Sequence, residues 1–121
     1  MIKNEYYELI EKLVDKTNSG DVNWKSTADN QRFLVYFKDF SLSVDGGITP
    51  DDNDYVRITL WNDLGKQIDS FLLMENEKHW KLVNDLFQGA RRKALKIDEA
   101  LHLILDELNT TGVIGIDADF S

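Results

Sequence analysis

The residues of this chain that could do chemistry fall into three groups: an acidic loop, a basic cluster and a set of aromatic side chains. The acidic loop contains Asp51, Asp52 and Asp54, with Asp45 upstream. Hard divalent cations prefer several oxygens, so this loop is the best metal candidate and the one place for a metal-dependent hydrolase. It lacks the glycine and the closing glutamate of a calcium loop. We therefore expect a solvated turn and no bound metal.

The basic cluster consists of Arg91, Arg92 and Lys93, followed by Lys96. It stands out because the chain carries 14 Lys and Arg against 22 Asp and Glu. Cations near the end of a helix interact favourably with the helix dipole and with the last carbonyl groups, which is one interpretation. The other is that the cluster binds a phosphate or an acidic patch, including the acidic final helix of a second copy.

The aromatic side chains exceed what one face of a sheet needs if a single layer of helices covers it. Core packing accounts for most of them. The remaining interpretation is an exposed aromatic face that docks a partner chain or stacks on a base-like ligand. The candidate binding residues from the aromatic and basic groups are Tyr36, Tyr55, Trp61, Arg91, Arg92 and Lys93.

No combination of residues predicts a catalytic centre. His79 and His102 lie in different predicted helices, and nothing in the sequence places either beside a nucleophile. The glycines do not have the spacing of a phosphate loop, and no nucleophile-elbow or kinase pattern is present. The chain has no cysteine, which fits a reducing compartment. We expect no catalytic residue, no metal and no cofactor.

The apolar residues change period twice along the chain, and these changes predict the elements that position the candidate residues. Residues 3–18 repeat at helical spacing, residues 33–73 alternate, and residues 80–108 return to helical spacing. A helix, then strands, then helices is typical of an α+β domain. We predict one domain over residues 1–121: an N-terminal helix, a four-stranded antiparallel meander, and two C-terminal helices packed on one face of the sheet.

The strand region predicts short connections. Residues 33–37 form the first strand, followed either by a tight hairpin at residues 38–39, which we prefer, or by one long bent strand. Residues 45–54 contain two Gly, the only Pro and four Asp, and this composition predicts a loop. Residues 62–65 end in a glycine and predict a hairpin between the last two strands.

The remaining boundaries follow from capping residues and polarity. Residues 21–31 indicate a polar connection, anchored by Trp24. Asn76 or Glu75 can cap the second helix, and Asp98 can cap the third. The tail, residues 112–121, either docks as a short strand or stays loosely ordered. The predicted core face of the first helix is Tyr6, Leu9, Ile10, Leu13 and Val14.

The net charge and the absence of long apolar runs bound the function. A formal charge of −8 repels the phosphate backbone, so nonspecific nucleic-acid binding is not expected. No apolar run approaches the roughly 18 residues of a membrane span, and the N-terminal residues lack the apolar core of a signal peptide. We expect a cytoplasmic protein. Its acidity either serves solubility or lets acidic faces engage a basic partner or imitate nucleic acid.

Two resemblances to known classes of protein add to these predictions. Residues 58–71 (ITLWNDLGKQIDSF) and residues 86–108 (LFQGARRKALKIDEALHLILDEL) are together similar to small bacterial proteins with no assigned activity. In those proteins an aromatic hairpin precedes a helix with Ala-Arg-Arg-x-Ala-Leu, so the resemblance implies a bacterial or phage setting and transfers no functional residue. The acidity and the helix-then-strands opening also resemble type III secretion chaperones, although here no middle helix interrupts the strands.

The sequence thus favours a noncatalytic protein–protein interaction module, of an adaptor, inhibitor, immunity or chaperone-like kind. Its partner is either another protein or a second copy of the chain, and a two-fold contact would pair the basic cluster with the acidic final helix. The alternative is a binder of a small anionic or nucleotide-like ligand. In that alternative the aromatic side chains stack on the ligand, and Arg91 or Arg92 contacts its phosphate.

Overall fold

The computed structural model describes residues 4–110 and 112–116. It confirms the α+β class, with one N-terminal helix, an antiparallel meander and two C-terminal helices. The elements are α1 (Asn4–Asn18), β1 (Lys25–Ser26), β2 (Arg32–Tyr36), β3 (Phe40–Ile48), β4 (Asp54–Asn62), β5 (Gln67–Met74), α2 (Trp80–Ala94) and α3 (Ile97–Leu108).

The sheet has five strands in the order β1-β2-β3-β4-β5, each antiparallel to its neighbour. The predicted number of four was wrong, because residues 21–31 contain the short strand β1. Lys25 and Ser26 pair with Leu34 and Phe33. Both β1 side chains are exposed, so this strand rests on backbone pairing and has no apolar alternation that could reveal it.

Both predicted hairpins are confirmed. The amide of Phe37 donates to the carbonyl of Phe40 at 2.8 Å, which closes a tight turn at residues 38–39. At the β4–β5 turn, Gly65 has a φ of +77°, a left-handed conformation that glycine adopts without strain. The side chain of Asn62 accepts hydrogen bonds there from the backbone amides of Leu64 and Lys66.

The loop predicted for residues 45–54 is shorter than expected, because β3 continues through Gly46 and Gly47 to Ile48. The two glycines face opposite sides of the sheet. A Cβ on Gly46 would lie 2.8 Å from Cζ of Phe87, and a Cβ on Gly47 would lie 2.6 Å from the hydroxyl of Tyr55. The glycines therefore serve as space for two aromatic rings, and only residues 49–53 connect β3 to β4.

The core lies between the sheet and the helices α1 and α2. The predicted face of α1 is confirmed: Ile10 and Leu13 are buried, and its other members pack partly buried against the core. Thr17 extends this face, since its hydroxyl oxygen accepts a hydrogen bond from Nε1 of buried Trp24 at 2.9 Å. The buried hydrophobic residues are Ile10, Leu13, Trp24, Phe33, Val35, Leu42, Val44, Val56, Ile58, Leu73, Val83, Leu86, Phe87 and Ala90.

Neither C-terminal helix uses the capping residue that the sequence predicts for it. α2 starts at Trp80, and His79 before it has a φ of +71° and makes no side-chain cap. Asn76 and Glu75 precede it in a turn where the backbone amide of Met74 donates to the side chain of Glu77 at 2.7 Å. That turn joins β5 to α2 and delays the helix.

The prediction that Asp98 caps α3 was also wrong, because α3 begins at Ile97, after Lys96 with a φ of +55°. α2 contacts all five strands, whereas α3 contacts α2. Residues 112–116 adopt no helix or strand, and residues 117–121 of the predicted tail lie outside the described residues. Within the described part of the chain, no helix combines the length and apolarity needed to cross a bilayer.

Candidate functional site

One face of the sheet carries the side chains that pack on α1 and α2, and we call the other face the open face. Partners across antiparallel strands share a face, so the pairing register arranges the open-face side chains in rows. One row is Tyr36, Ser41 and Trp61. A second row is Arg32, Asp45 and Arg57. Polar and aromatic residues therefore converge on the face opposite the core.

The open face contains a cavity of about 630 Å³, which we call the open-face cavity. It lies at the hairpin end of β2 and β3, and Leu34, Tyr36, Ser43 and Trp61 are among its lining residues together with Arg32. Nε1 of Trp61 donates to Oγ of Ser43 at 3.0 Å, which fixes the indole ring. The volume falls in the range of about 300–1,000 Å³ typical of small-molecule sites.

The second row holds an ion pair in which the carboxylate is buried and the arginine is partly exposed. Asp45 is 4% exposed, and its two carboxylate oxygens accept hydrogen bonds from Nε of Arg57 at 3.3 Å and from its Nη2 at 2.8 Å. These hydrogen bonds, together with the attraction of the two charges, raise the pKa of Arg57 above its ordinary value. The charge of Asp45 is therefore already matched by one arginine.

Arg32 stands on the other side of Asp45 in the same row and also lines the open-face cavity. Its Nε is buried and has no hydrogen-bond acceptor among the described residues. Buried polar groups in folded proteins nearly always have a partner. Arg32 is therefore a cationic group at the cavity with unused donor capacity.

The structure brings together only part of the predicted binding set. Tyr36 and Trp61 share a row and both line the open-face cavity. Tyr55 is on the same face, but it lies six residues from Trp61 along β4, about 20 Å at the rise of a strand, and its ring covers Gly47. The predicted aromatic face is thus split into a cavity at one end and a glycine-backed tyrosine at the other.

The basic cluster lies apart from the aromatic residues, at the C-terminal end of α2. Arg91 is half-buried, whereas Arg92 and Lys93 are exposed. Arg92 forms an ion pair with Asp98 of the same chain, and its hydrogen bond lowers the pKa of that carboxyl. None of the three basic residues lines the open-face cavity, so the structure does not combine them with Tyr36 and Trp61 in one pocket.

α3 exposes an apolar surface that the fold does not use. None of its described side chains is buried, although its sequence is amphipathic. Ile97, Leu101, Ile104 and Leu108 follow one another at spacings of four, three and four residues, which places them in one stripe, here called the α3 seam. Five large apolar side chains of α3 are 48–70% exposed, namely Leu101, Leu103, Ile104, Leu105 and Leu108.

The acidic loop and the two histidines lie in separate parts of the described structure. No group of three or more His, Cys, Asp or Glu side chains arranged to hold a metal occurs within residues 4–110 and 112–116. The ring of His79 packs against Tyr7, with centroids 4.7 Å apart, and His102 is exposed on α3. These arrangements suit packing and solvation, and they do not pair a base with a nucleophile.

Arg32 is a site residue that the sequence does not predict, and Asp45 is predicted only as a neighbour of the acidic metal-candidate loop. Their relation depends on the pairing of β2 with β3 and of β3 with β4, and Asp45 was assigned to a loop. The sequence also predicts both C-terminal helices packed on one face of the sheet, since the stripe of α3 has the same spacing whether it packs inside the fold or on a partner. Only the burial of each side chain distinguishes the two cases.

Comparison of the chain with protein-family models, with curated proteins and with solved structures gives no match. We therefore infer the function from the geometry of the described residues. It provides two features that the core does not require: the exposed α3 seam, and the open-face cavity with Arg32 at its wall.

Proposed function

We propose that this protein is a noncatalytic interaction module, that the α3 seam is its docking surface, and that its partner is a second copy of the chain. The observation that supports the proposal is the exposure of the seam, with Leu101, Ile104 and Leu108 each about half exposed. A contiguous exposed apolar surface on an ordered helix is typical of a protein–protein contact. The spacing of the seam is that of two helices packed side by side.

The charges at the two ends of α3 favour an antiparallel pair. Lys93 and Lys96 lie just before the helix, and Asp106 and Glu107 lie in its last turn, which contains no basic residue. Carboxylates near the C-terminal end of a helix are unfavourable because they meet the negative end of its dipole. A second copy running antiparallel would set its own basic residues beside these carboxylates and relieve that repulsion.

The exposed area predicts a weak dimer. Complete burial of a leucine or isoleucine contributes about 1.5–3 kcal/mol, so each half-exposed seam residue gains about 1 kcal/mol on burial. The seam residues of two copies together contribute about 8 kcal/mol, which exceeds an association cost of about 4 kcal/mol by about 4 kcal/mol. We therefore expect a weak dimer with a dissociation constant of about 1 mM.

Translational diffusion measured by NMR from about 0.05 to 3 mM protein tests the proposal. The wild-type chain should shift from monomer to dimer over this range. Leu101→Glu should weaken the association more than tenfold, because dimerisation would bury a carboxylate in each copy. Leu64→Glu is the matched control, since Leu64 is 87% exposed in the β4–β5 turn and lies outside α3.

Three results would contradict parts of the proposal. A chain that remains monomeric at 3 mM removes the second copy as partner. A dimer that Leu101→Glu weakens no more than Leu64→Glu removes the α3 seam as its contact. A dissociation constant that does not rise when NaCl is increased to 0.5 M removes the antiparallel charge pairing, because exposed charges are screened at that ionic strength.

A further inference from the structure

The open-face cavity carries an inference that does not depend on α3. Its lining combines apolar area from Leu34, Tyr36 and Trp61 with the cationic side chain of Arg32. Small-molecule sites have this composition: mostly apolar walls, and a few polar groups that orient the ligand. α2 packs on the other face of the sheet, so a ligand here and a partner on α3 would occupy different surfaces.

Arg32 identifies the polar part of the ligand. Its Nε is buried without an acceptor among the described residues, and the nearest carboxylate in its row, Asp45, already accepts two hydrogen bonds from Arg57. A guanidinium group donates to a carboxylate or phosphate through two parallel N–H groups. Nε itself is closed to the cavity, but the terminal nitrogens of Arg32 are not buried and can donate to an anionic oxygen there.

The aromatic walls and the charges at the rim of the cavity identify the remaining part of the ligand. The indole of Trp61 is fixed by Ser43 and is available, with Tyr36, for offset or edge-to-face packing on a flat ring. Around the cavity lie Asp29, Asp39 and Asp63 against Lys38. This excess of carboxylates repels a polyphosphate several times more strongly than a single carboxylate, so it favours a monoanion beside Arg32 over a polyanion.

We propose that the open-face cavity binds a planar aromatic monocarboxylate. The carboxylate accepts hydrogen bonds from the guanidinium group of Arg32, and the aromatic ring packs against Trp61 and Tyr36. This site differs from the phosphate contact predicted at Arg91 or Arg92, since neither of those arginines lines the cavity.

Titration of the isotopically labelled protein with 2-naphthoate, followed by NMR, tests the proposal. The indole Nε1–H signal of Trp61, assigned with Trp61→Phe, should shift, while that of buried Trp24 stays in place. The neutral analogue 2-naphthamide should bind at least about tenfold more weakly, because it lacks the charge that strengthens the hydrogen bonds to Arg32.

Arg32→Met should weaken binding of 2-naphthoate about tenfold or more and leave 2-naphthamide unchanged. Arg92→Met is the matched control, because it removes the same group from α2, outside the cavity. Arg32→Lys should fall between wild type and Arg32→Met, since it keeps the charge and loses the planar pair of donors. Circular dichroism of each variant establishes that it is folded before its affinity is compared.

The proposal is overturned if the Trp61 signal does not move at 5 mM 2-naphthoate, or if 2-naphthoate and 2-naphthamide bind equally. Equal weakening by Arg32→Met and Arg92→Met would also overturn it, because the effect would then be one of net charge. Shifts confined to α3 would show that the probe binds the exposed seam. None of these results bears on dimerisation, which has its own variants.

Discussion

Replacing Arg57 by methionine should lower the free energy of unfolding by about 3 kcal/mol, because it leaves the carboxylate of Asp45 buried without its partner. The side chain of Asp45 is 5% exposed, whereas that of Arg57 is 39% exposed. Removal of Arg57 and removal of Asp45 should therefore cost different amounts of stability. Asp45 cannot reach water when it is left alone, and Arg57 can.

The opposite substitution, Asp45→Asn, should therefore cost less, about 1–2 kcal/mol, the contribution of a hydrogen bond to a charged group. Arg32→Met should cost close to nothing, since Nε of Arg32 has no acceptor to lose among the described residues. The double variant Arg32→Met/Arg57→Met should be less stable than Arg57→Met alone. In the single variant Arg32, directly across from Asp45, can turn towards the orphaned carboxylate.

Urea unfolding followed by circular dichroism measures all four variants. A loss of 1 kcal/mol corresponds to about 3–5 °C in Tm for a chain of this size, so Arg57→Met should melt roughly 10–15 °C lower. Equal costs for Arg57→Met and Asp45→Asn would refute the asymmetry argued from burial. A cost of 2 kcal/mol or more for Arg32→Met would show that Arg32 already stabilises Asp45, and would remove it as a free group at the cavity.

Two further predictions concern the covered side of the sheet. Burial raises the pKa of Tyr6 from 10.0 to about 12, with a further contribution from the hydrogen bond that its hydroxyl donates to Asp69. The folded chain therefore holds this proton more tightly than the unfolded chain. The resulting contribution to stability is complete below pH 10 and should be lost as the pH rises to 12. Urea titrations at pH 9 and pH 11.5 should show a smaller alkaline loss for Tyr6→Phe than for wild type, and equal losses would contradict the shift. Gly46→Ala should destabilise by about 1–3 kcal/mol, because its Cβ would overlap the buried ring of Phe87. Gly47→Ala, whose Cβ meets the movable tip of a half-buried tyrosine, should cost less in the same thermal melts, and the reverse order would count against these contacts.

The sequence predicted those elements whose apolar side chains face one core. The period of Ile10 and Leu13 in α1, and the alternation of Leu42 and Val44 in β3, follow directly from burial on one side. β1 was missed because neither of its two residues is buried. Its existence depends on pairing with β2, and a local pattern does not report that pairing.

Composition misled the prediction around Gly46 and Gly47. Two glycines among aspartates are typical of a loop, yet here they make room for rings from α2 and from β4. Phe87 is distant in the sequence and Tyr55 reaches Gly47 only through the pairing of β3 with β4, so a local pattern does not show these contacts. The start of α2 was misplaced for a related reason, since the turn that joins β5 to α2 takes precedence over the local cap at Asn76.

The sequence predicted only part of the candidate site, because the pairing of strands decides which residues share a face. Tyr36 and Trp61 were both chosen as exposed aromatic residues, and the strand register brings them together. Arg32 was not chosen, because its importance depends on the partner it lacks. The basic cluster was chosen by its contrast with an acidic chain, and one member, Arg92, is engaged by Asp98 of the same chain.

The position of α3 separates two selective pressures that usually act on the same residues. Selection on Ile10, which is buried in the core, acts through folding, so few substitutions there leave a stable protein. A seam residue such as Leu101 is about half exposed in its own fold, so its replacement should cost the fold less than the replacement of Ile10. If α3 is the docking surface proposed above, a few substitutions there would change the partner while the rest of the domain stays the same. Among diverging descendants of this chain, α3 would then be the segment where new specificities arise at the lowest cost to folding.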